Sequence, residues 1–126
     1  MSQPHQPKTA QDIFNTVAMH LMTQGERSTG AMGLCRYRGS KGHMCAIGVL
    51  IPDEMYNSSM EGKTVGTIQN RLPAALRSHL PLLDDLQIVH DFCDHNEGRF
   101  NRGELKRSLK GTAKRFGLEC EVLKVM

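Results

Sequence analysis

The chain has 126 residues, 39% of them apolar and 23% charged, a balance that excludes a disordered chain and a length that excludes two independently folded domains. Its net charge of +3 and pI near 8.8 are milder than those of a dedicated duplex binder, and with no Trp, two Tyr and four Phe it lacks most of the aromatic platforms on which single-strand binders stack bases. The longest apolar run, Met44 to Ile51, is far short of the ~20 residues that cross a bilayer, no secretory leader pattern opens the chain, and the four cysteines are expected as thiols in the cytoplasm.

Residues 1–8 are polar, with two prolines, and are expected as a flexible tail ahead of one globular domain over 9–126. Thr9 with Asp12 resembles a capping box, and Ile13, Phe14, Val17, Leu21 and Met22 recur at helical spacing until Gly25 supplies a stop, which predicts a first helix. After a loop over 26–33, Leu34 to Arg38 and His43 onward flank Gly39-Ser40-Lys41-Gly42 and predict a hairpin. Cys45 to Ile51 reads equally as a buried strand or as an early turn into a short helix, and Pro52, Asp53 and Glu54 suit the first turn of a short helix or turn near 52–57. Val65, Ile68, Leu72, Leu76 and Leu80 step by three and four, with Pro73 dividing the run into two short helices. Pro81 opens a further helix whose stripe is Leu82, Leu86, Val89 and Cys93 and whose end falls near Asn96 to Gly98. Asn101 and Glu104 start the next, with Leu105, Leu109, Ala113 and Phe116 facing inward and Gly117 as its stop, and Leu118 to Val125 reads as a strand. The predicted class is α+β, mostly helical, with a small antiparallel sheet made by the central hairpin and the C-terminal strand.

Two groups of residues carry candidate chemistry. In His90-Asp91-Phe92-Cys93-Asp94-His95, helical spacings of three and four bring His90 beside Cys93 and Asp94, and Asp91 beside His95, a pattern that can chelate a divalent metal such as zinc. Against it stands the plainer reading of Cys93 as core and Asp91 with His95 as a solvated pair. Cys35, His43 and Cys45 are distant candidates for further ligands, and Cys45 with His43 or His90 is a conceivable nucleophile and base. The second group is cationic. Arg99, Arg102, Lys106, Arg107, Lys110, Lys114 and Arg115 face only Glu104 in their own stretch, while the preceding helix carries Asp84, Asp85, Asp91 and Asp94. If the two do not neutralise each other, Arg102, Lys106, Arg107 and Lys110, helped by Arg36, Arg38 and Lys41 of the hairpin, form a footprint for an anionic ligand, nucleic acid or an acidic protein surface.

Cys35-Arg36-Tyr37-Arg38-Gly39, then Gly42-His43-Met44-Cys45-Ala46-Ile47-Gly48, Leu50-Ile51-Pro52-Asp53, Tyr56 and Met60-Glu61-Gly62, behind a helix ending in Gln24-Gly25, form a signature. It resembles one in a family of small uncharacterised proteins encoded by phages, prophages and some bacteria, and covers about the first half of the chain. The resemblance implies a setting rather than a set of catalytic residues: small phage proteins of this kind often serve host takeover or counter defence, and many act by binding. The expected function is thus a phage-type accessory protein that blocks a host or defence protein or sequesters an anionic, nucleotide-like ligand, with a symmetric homodimer as one possible assembly. The alternatives are a small metal-dependent hydrolase centred on His90, Asp91, Cys93, Asp94 and His95, and a weak nucleic-acid binder.

Overall fold

The apolar stripe beginning at Ile13 organises the molecule. A computed structural model describes Pro7 and residues 9–30, 35–92 and 101–125. Helix α1 spans Ala10–Gln24. Thr9 Oγ1 accepts the Asp12 N–H at 3.0 Å, and Gly25, in the left-handed region at φ 70°, donates its N–H to the Leu21 carbonyl, so both ends close as the sequence predicts. Ile13, Phe14, Val17, Ala18, Leu21 and Met22 form its buried face. Pro7, inside the expected tail, is buried as well.

Short 3-10 turns follow at Ser40–Gly42, Gly48–Leu50, Asp53–Met55 and Ser58–Met60. Helix α2 (Val65–Ile68) runs through a 3-10 turn at Gln69–Arg71, and Pro73, extended at ψ 142°, separates it from α3 (Ala74–Arg77), which gives the two short helices expected there. Helix α4 (Leu80–Asp91) carries Pro81 in its first turn, where the missing N–H costs nothing. Its expected end near Asn96 to Gly98 lies outside the described residues, and Phe92 caps it in the structure. Helix α5 (Arg102–Arg115) begins with Asn101 Oδ1 accepting the Glu104 N–H at 2.9 Å and ends at Gly117, φ 65°, with Leu118 N–H returning to the Ala113 carbonyl. Helix α1 is the hub: α4, α5, the turn at Gly48–Leu50 and the turn at Glu121–Val125 all pack on it.

The α+β expectation is overturned. The fold is helical, and among the described residues there is no strand, only the isolated antiparallel bridges Thr29 to Cys35 and Arg38 to Met44. The predicted C-terminal strand is instead a 3-10 turn at Glu121–Val125 that buries Leu123 against the core. Backbone bonds within the turns and side chains together supply the hydrogen bonds that strand neighbours would have given. Gln11 of α1 acts as an amide partner to Glu119, donating to its carbonyl at 2.9 Å and accepting its N–H at 2.8 Å. Gln24 Oε1 accepts the Met44 N–H, while Gln24 Nε2 and His20 Nε2 donate to the Met44 carbonyl. The Glu61 carboxylate accepts the N–H groups of both Tyr37 and Arg38.

The two halves of the expected hairpin region also approach too closely for a side chain between them. A Cβ on Gly48 would lie 1.9 Å from the Tyr37 carbonyl oxygen, and one on Gly39 would lie 2.5 Å from that of Thr29. Cys35, Cys45 and Cys120 are free thiols.

Candidate functional site

Helix α4 places Asp84, Gln87, Ile88 and Asp91 along one face, at spacings of three, four and seven, because 3.6 residues complete a turn. They form one wall of a pocket of about 500 Å³. The opposite wall is the segment Cys35 to Tyr37 with residues 61–65. Volume and a largely apolar lining with a few convergent polar groups suit a small ligand.

At the edge of this pocket Cys35, His90 and Asp91 come together, their ligand-capable atoms within 4.8 Å of one another. The sequence had joined His90 and Asp91, and Cys35 was among the distant candidates; Cys93, Asp94 and His95 lie outside the described residues. His90 is buried, and its two nitrogens have opposite duties. The Ser28 N–H meets Nε2 at 2.9 Å, so that nitrogen is the acceptor, and Nδ1 carries the hydrogen given to Asp91 Oδ1 at 2.8 Å. Gln87 Nε2 donates to the same carboxylate oxygen at 3.0 Å.

A metal taken by His90 would have to displace the Nδ1 proton or the Ser28 amide. Metal-ligating histidines normally donate their other nitrogen to an acceptor: ligation through Nδ1 would leave Nε2 facing the Ser28 donor, and ligation through Nε2 would keep the Asp91 bond but orphan the buried Ser28 amide. The arrangement chemically suits a hydrogen-bonded brace between α4 and the loop at Ser28. Nor is either cysteine activated. Burial and the neighbouring Asp91 carboxylate push the Cys35 thiol up to about 11 despite the Arg27 guanidinium beside it. Burial pushes Cys45 up to about 12, and its sulfur accepts the Gly48 N–H.

The cationic residues are distributed unequally. Arg38 is spent internally: Nη1 pairs with Asp53 at 2.7 Å, Nη2 donates to the Ile51 carbonyl at 2.7 Å, and the guanidinium stacks on the Tyr56 ring. Tyr56 in turn donates to Glu61 at 2.6 Å, which draws the residues 37, 38, 53, 56 and 61 into one clamp. Burial and this carboxylate hold the Tyr56 hydroxyl above its usual range. Arg36 reaches the pocket, with Nε 3.7 Å from Glu61. Lys41 sits exposed at the tip of the turn, at φ 61°. Arg102 donates to the Met22 carbonyl at 2.6 Å and ties α5 to α1. Arg107 pairs with Glu104 and Arg115 with Asp85, Lys106 is half-buried, and Lys110 is exposed.

A second concavity of about 360 Å³ lies between α4 and α5, lined by Ile88, Val89, Phe92, Arg107, Ser108, Gly111 and Arg115. Ile88 and Phe92, one turn apart, are 55% and 60% exposed. Gly111 leaves the α5 side low, while the arginines at its rim are 72% and 56% exposed. Sequence reasoning placed the cations of this face but missed the apolar pair, because Ile88 falls outside the buried stripe and Phe92 lies at the helix end. It also missed Glu61, Lys63 and Gln87, whose partners or pocket neighbours are remote in the chain. No family model, curated protein or solved structure matches this chain.

Proposed function

We propose that the protein acts by binding, and that its α4–α5 face docks an acidic, amphipathic helix of a partner protein and so blocks that partner. The observation that carries this reading is the exposed pair Ile88 and Phe92 beside the rim cations Arg107 and Arg115. A helix that lays an apolar stripe into such a groove would cover both side chains, and carboxylates flanking its stripe would meet the basic α5 surface, where Arg102, Lys106, Arg107, Lys110, Lys114 and Arg115 stand against Glu104. In the setting that the sequence resemblance implies, the partner is a host or defence protein. The hydrolase reading has less support, because both nitrogens of His90 are engaged and the thiols of Cys35 and Cys45 are held protonated.

Titration of the isotopically labelled protein with a synthetic helical peptide of Leu and Glu tests this. Amide shifts are expected to cluster at Ile88, Phe92, Arg107 and Gly111. Phe92→Asp, and charge reversal at Lys106, Arg107 and Lys110 together, should each weaken binding at least about tenfold, equivalent to about 1.4 kcal/mol, with Phe92→Asp leaving the melting temperature unchanged. Shifts located elsewhere, or Phe92→Asp binding like the parent, would overturn the proposal. Preferential binding of duplex DNA with an affinity that collapses as salt rises would replace it with the nucleic-acid reading.

A further inference from the structure

The pocket on the other side of Ile88 has walls of opposite charge. On the α4 wall Asp84 stands exposed and Asp91 half-buried, seven residues apart on one face. On the facing wall are Arg36 and Lys63. Glu61 is the acid of that wall; its two oxygens serve Tyr37 N–H, Arg38 N–H and Tyr56 O–H, and it offsets part of the charge of Arg36, whose Nε is 3.7 Å away. Asp91 Oδ1 on the other wall likewise serves His90 and Gln87, so that Lys63 and Asp84 are the exposed charges of the two walls. The Arg36 stem is laid against the backbone of Gly30, where a Cβ would collide with Arg36 Cδ at 2.3 Å. Arg36 lines the pocket beside Lys63, and between the charged walls lie Val65 and Ile88.

We infer that this pocket takes a small zwitterion of amino-acid or dipeptide size, its carboxylate on Arg36 and Lys63 and its ammonium on Asp84 and Asp91. A polyanion such as a nucleotide would press its charge on Asp84 and Asp91, and a polyamine would press on Arg36 and Lys63. In a partly enclosed site such like-charge contacts oppose binding. A molecule with one charge of each sign meets both walls, and its apolar part lies on Val65 and Ile88. The pocket's volume, about 500 Å³, accommodates a ligand of that size.

The 126-residue chain is titrated calorimetrically with free L-amino acids and dipeptides, with their N-acetyl and C-terminal amide forms, and with adenosine monophosphate, inorganic phosphate and zinc. The free zwitterions should bind, and each blocked form, which lacks one charge, should bind at least about tenfold more weakly. Asp84→Asn should weaken the free zwitterion about tenfold yet leave the N-acetyl form unaffected, and Lys63→Gln should do the same for the free and amide forms. Both residues are exposed, so circular dichroism and melting curves are expected to match the parent. Equal binding of blocked and free forms, binding only of adenosine monophosphate or inorganic phosphate, binding only of zinc, or binding of no member of the panel would each overturn the inference.

Discussion

Helix α1 and the segment from Cys35 to Lys63 both feed the core but are held by different forces. Between the ends of α1 each backbone group finds its partner four residues away, and Ile13, Phe14, Val17 and Ala18 on its inner face are fully buried. The second segment buries Tyr37, Cys45, Ile47, Leu50, Ile51 and Met60 in short 3-10 turns and local backbone bonds, and the groups those turns leave over at Tyr37, Arg38, Met44 and Ile47 are taken up by the side chains of Glu61, Gln24, His20 and Gln87. One region is stabilised by shape and area, the other by a few polar staples whose loss leaves buried donors unsatisfied.

The largest expected effect is on the apolar side of this comparison. Phe14→Ala should cost about 3–5 kcal/mol, from lost transfer energy and the cavity left behind. Urea unfolding should show the loss as a single transition, because α4, α5 and the turns at Gly48–Leu50 and Glu121–Val125 all pack on α1. Next is Glu61→Ala, expected to cost about 2–3 kcal/mol through the orphaned N–H groups of Tyr37 and Arg38. Its signature is local: hydrogen exchange should accelerate over residues 37–63 while the α1 amides keep their protection. If both variants accelerated exchange equally everywhere, the distinction between the two regions would fail.

The smallest effect sharpens the junction between them. His20 projects from α1 to the Met44 carbonyl, and burial lowers its pKa below the usual 6.5, with His90 and His43 adding to the shift and the Met44 bond opposing it. A histidine whose folded pKa is lowered binds its proton first in the unfolded chain. Its contribution is therefore intact above about pH 6.5 and diminishes as pH falls through the unfolded value toward the folded one. The urea midpoint should fall between pH 7.5 and 5.5, and less steeply in His20→Gln; an identical slope in the variant would remove His20 from the account.

The same contrast explains which parts of the molecule were legible in the sequence. The caps at Thr9 and Asn101, the stops at Gly25 and Gly117 and the break at Pro73 depend on groups within a few residues of each other, and each appears where the pattern placed it. The chain does reverse at Gly39 to Gly42, with the bridge Arg38 to Met44 across the turn, but neither a turn signal nor the apolar residues of Leu118 to Val125 say whether the flanking chain will pair into strands. Within the candidate site, the pairing of His90 with Asp91 was visible from adjacency, and the basic face of α5 from its composition. The pocket was not visible, since Cys35, Lys63 and Asp84 meet only through the packing of α4 on the turns before it.

The sequence by itself determined the helices, both ends of α1 and α5 and the apolar faces that bury them, because helix periodicity and capping act over about four residues. Only the tertiary structure decided that the remaining chain would be pinned by side chains instead of paired into a sheet. The Gln11 side chain that replaces a strand partner for Glu119 stands 108 residues away in sequence, and no local pattern encodes a hydrogen bond across that distance.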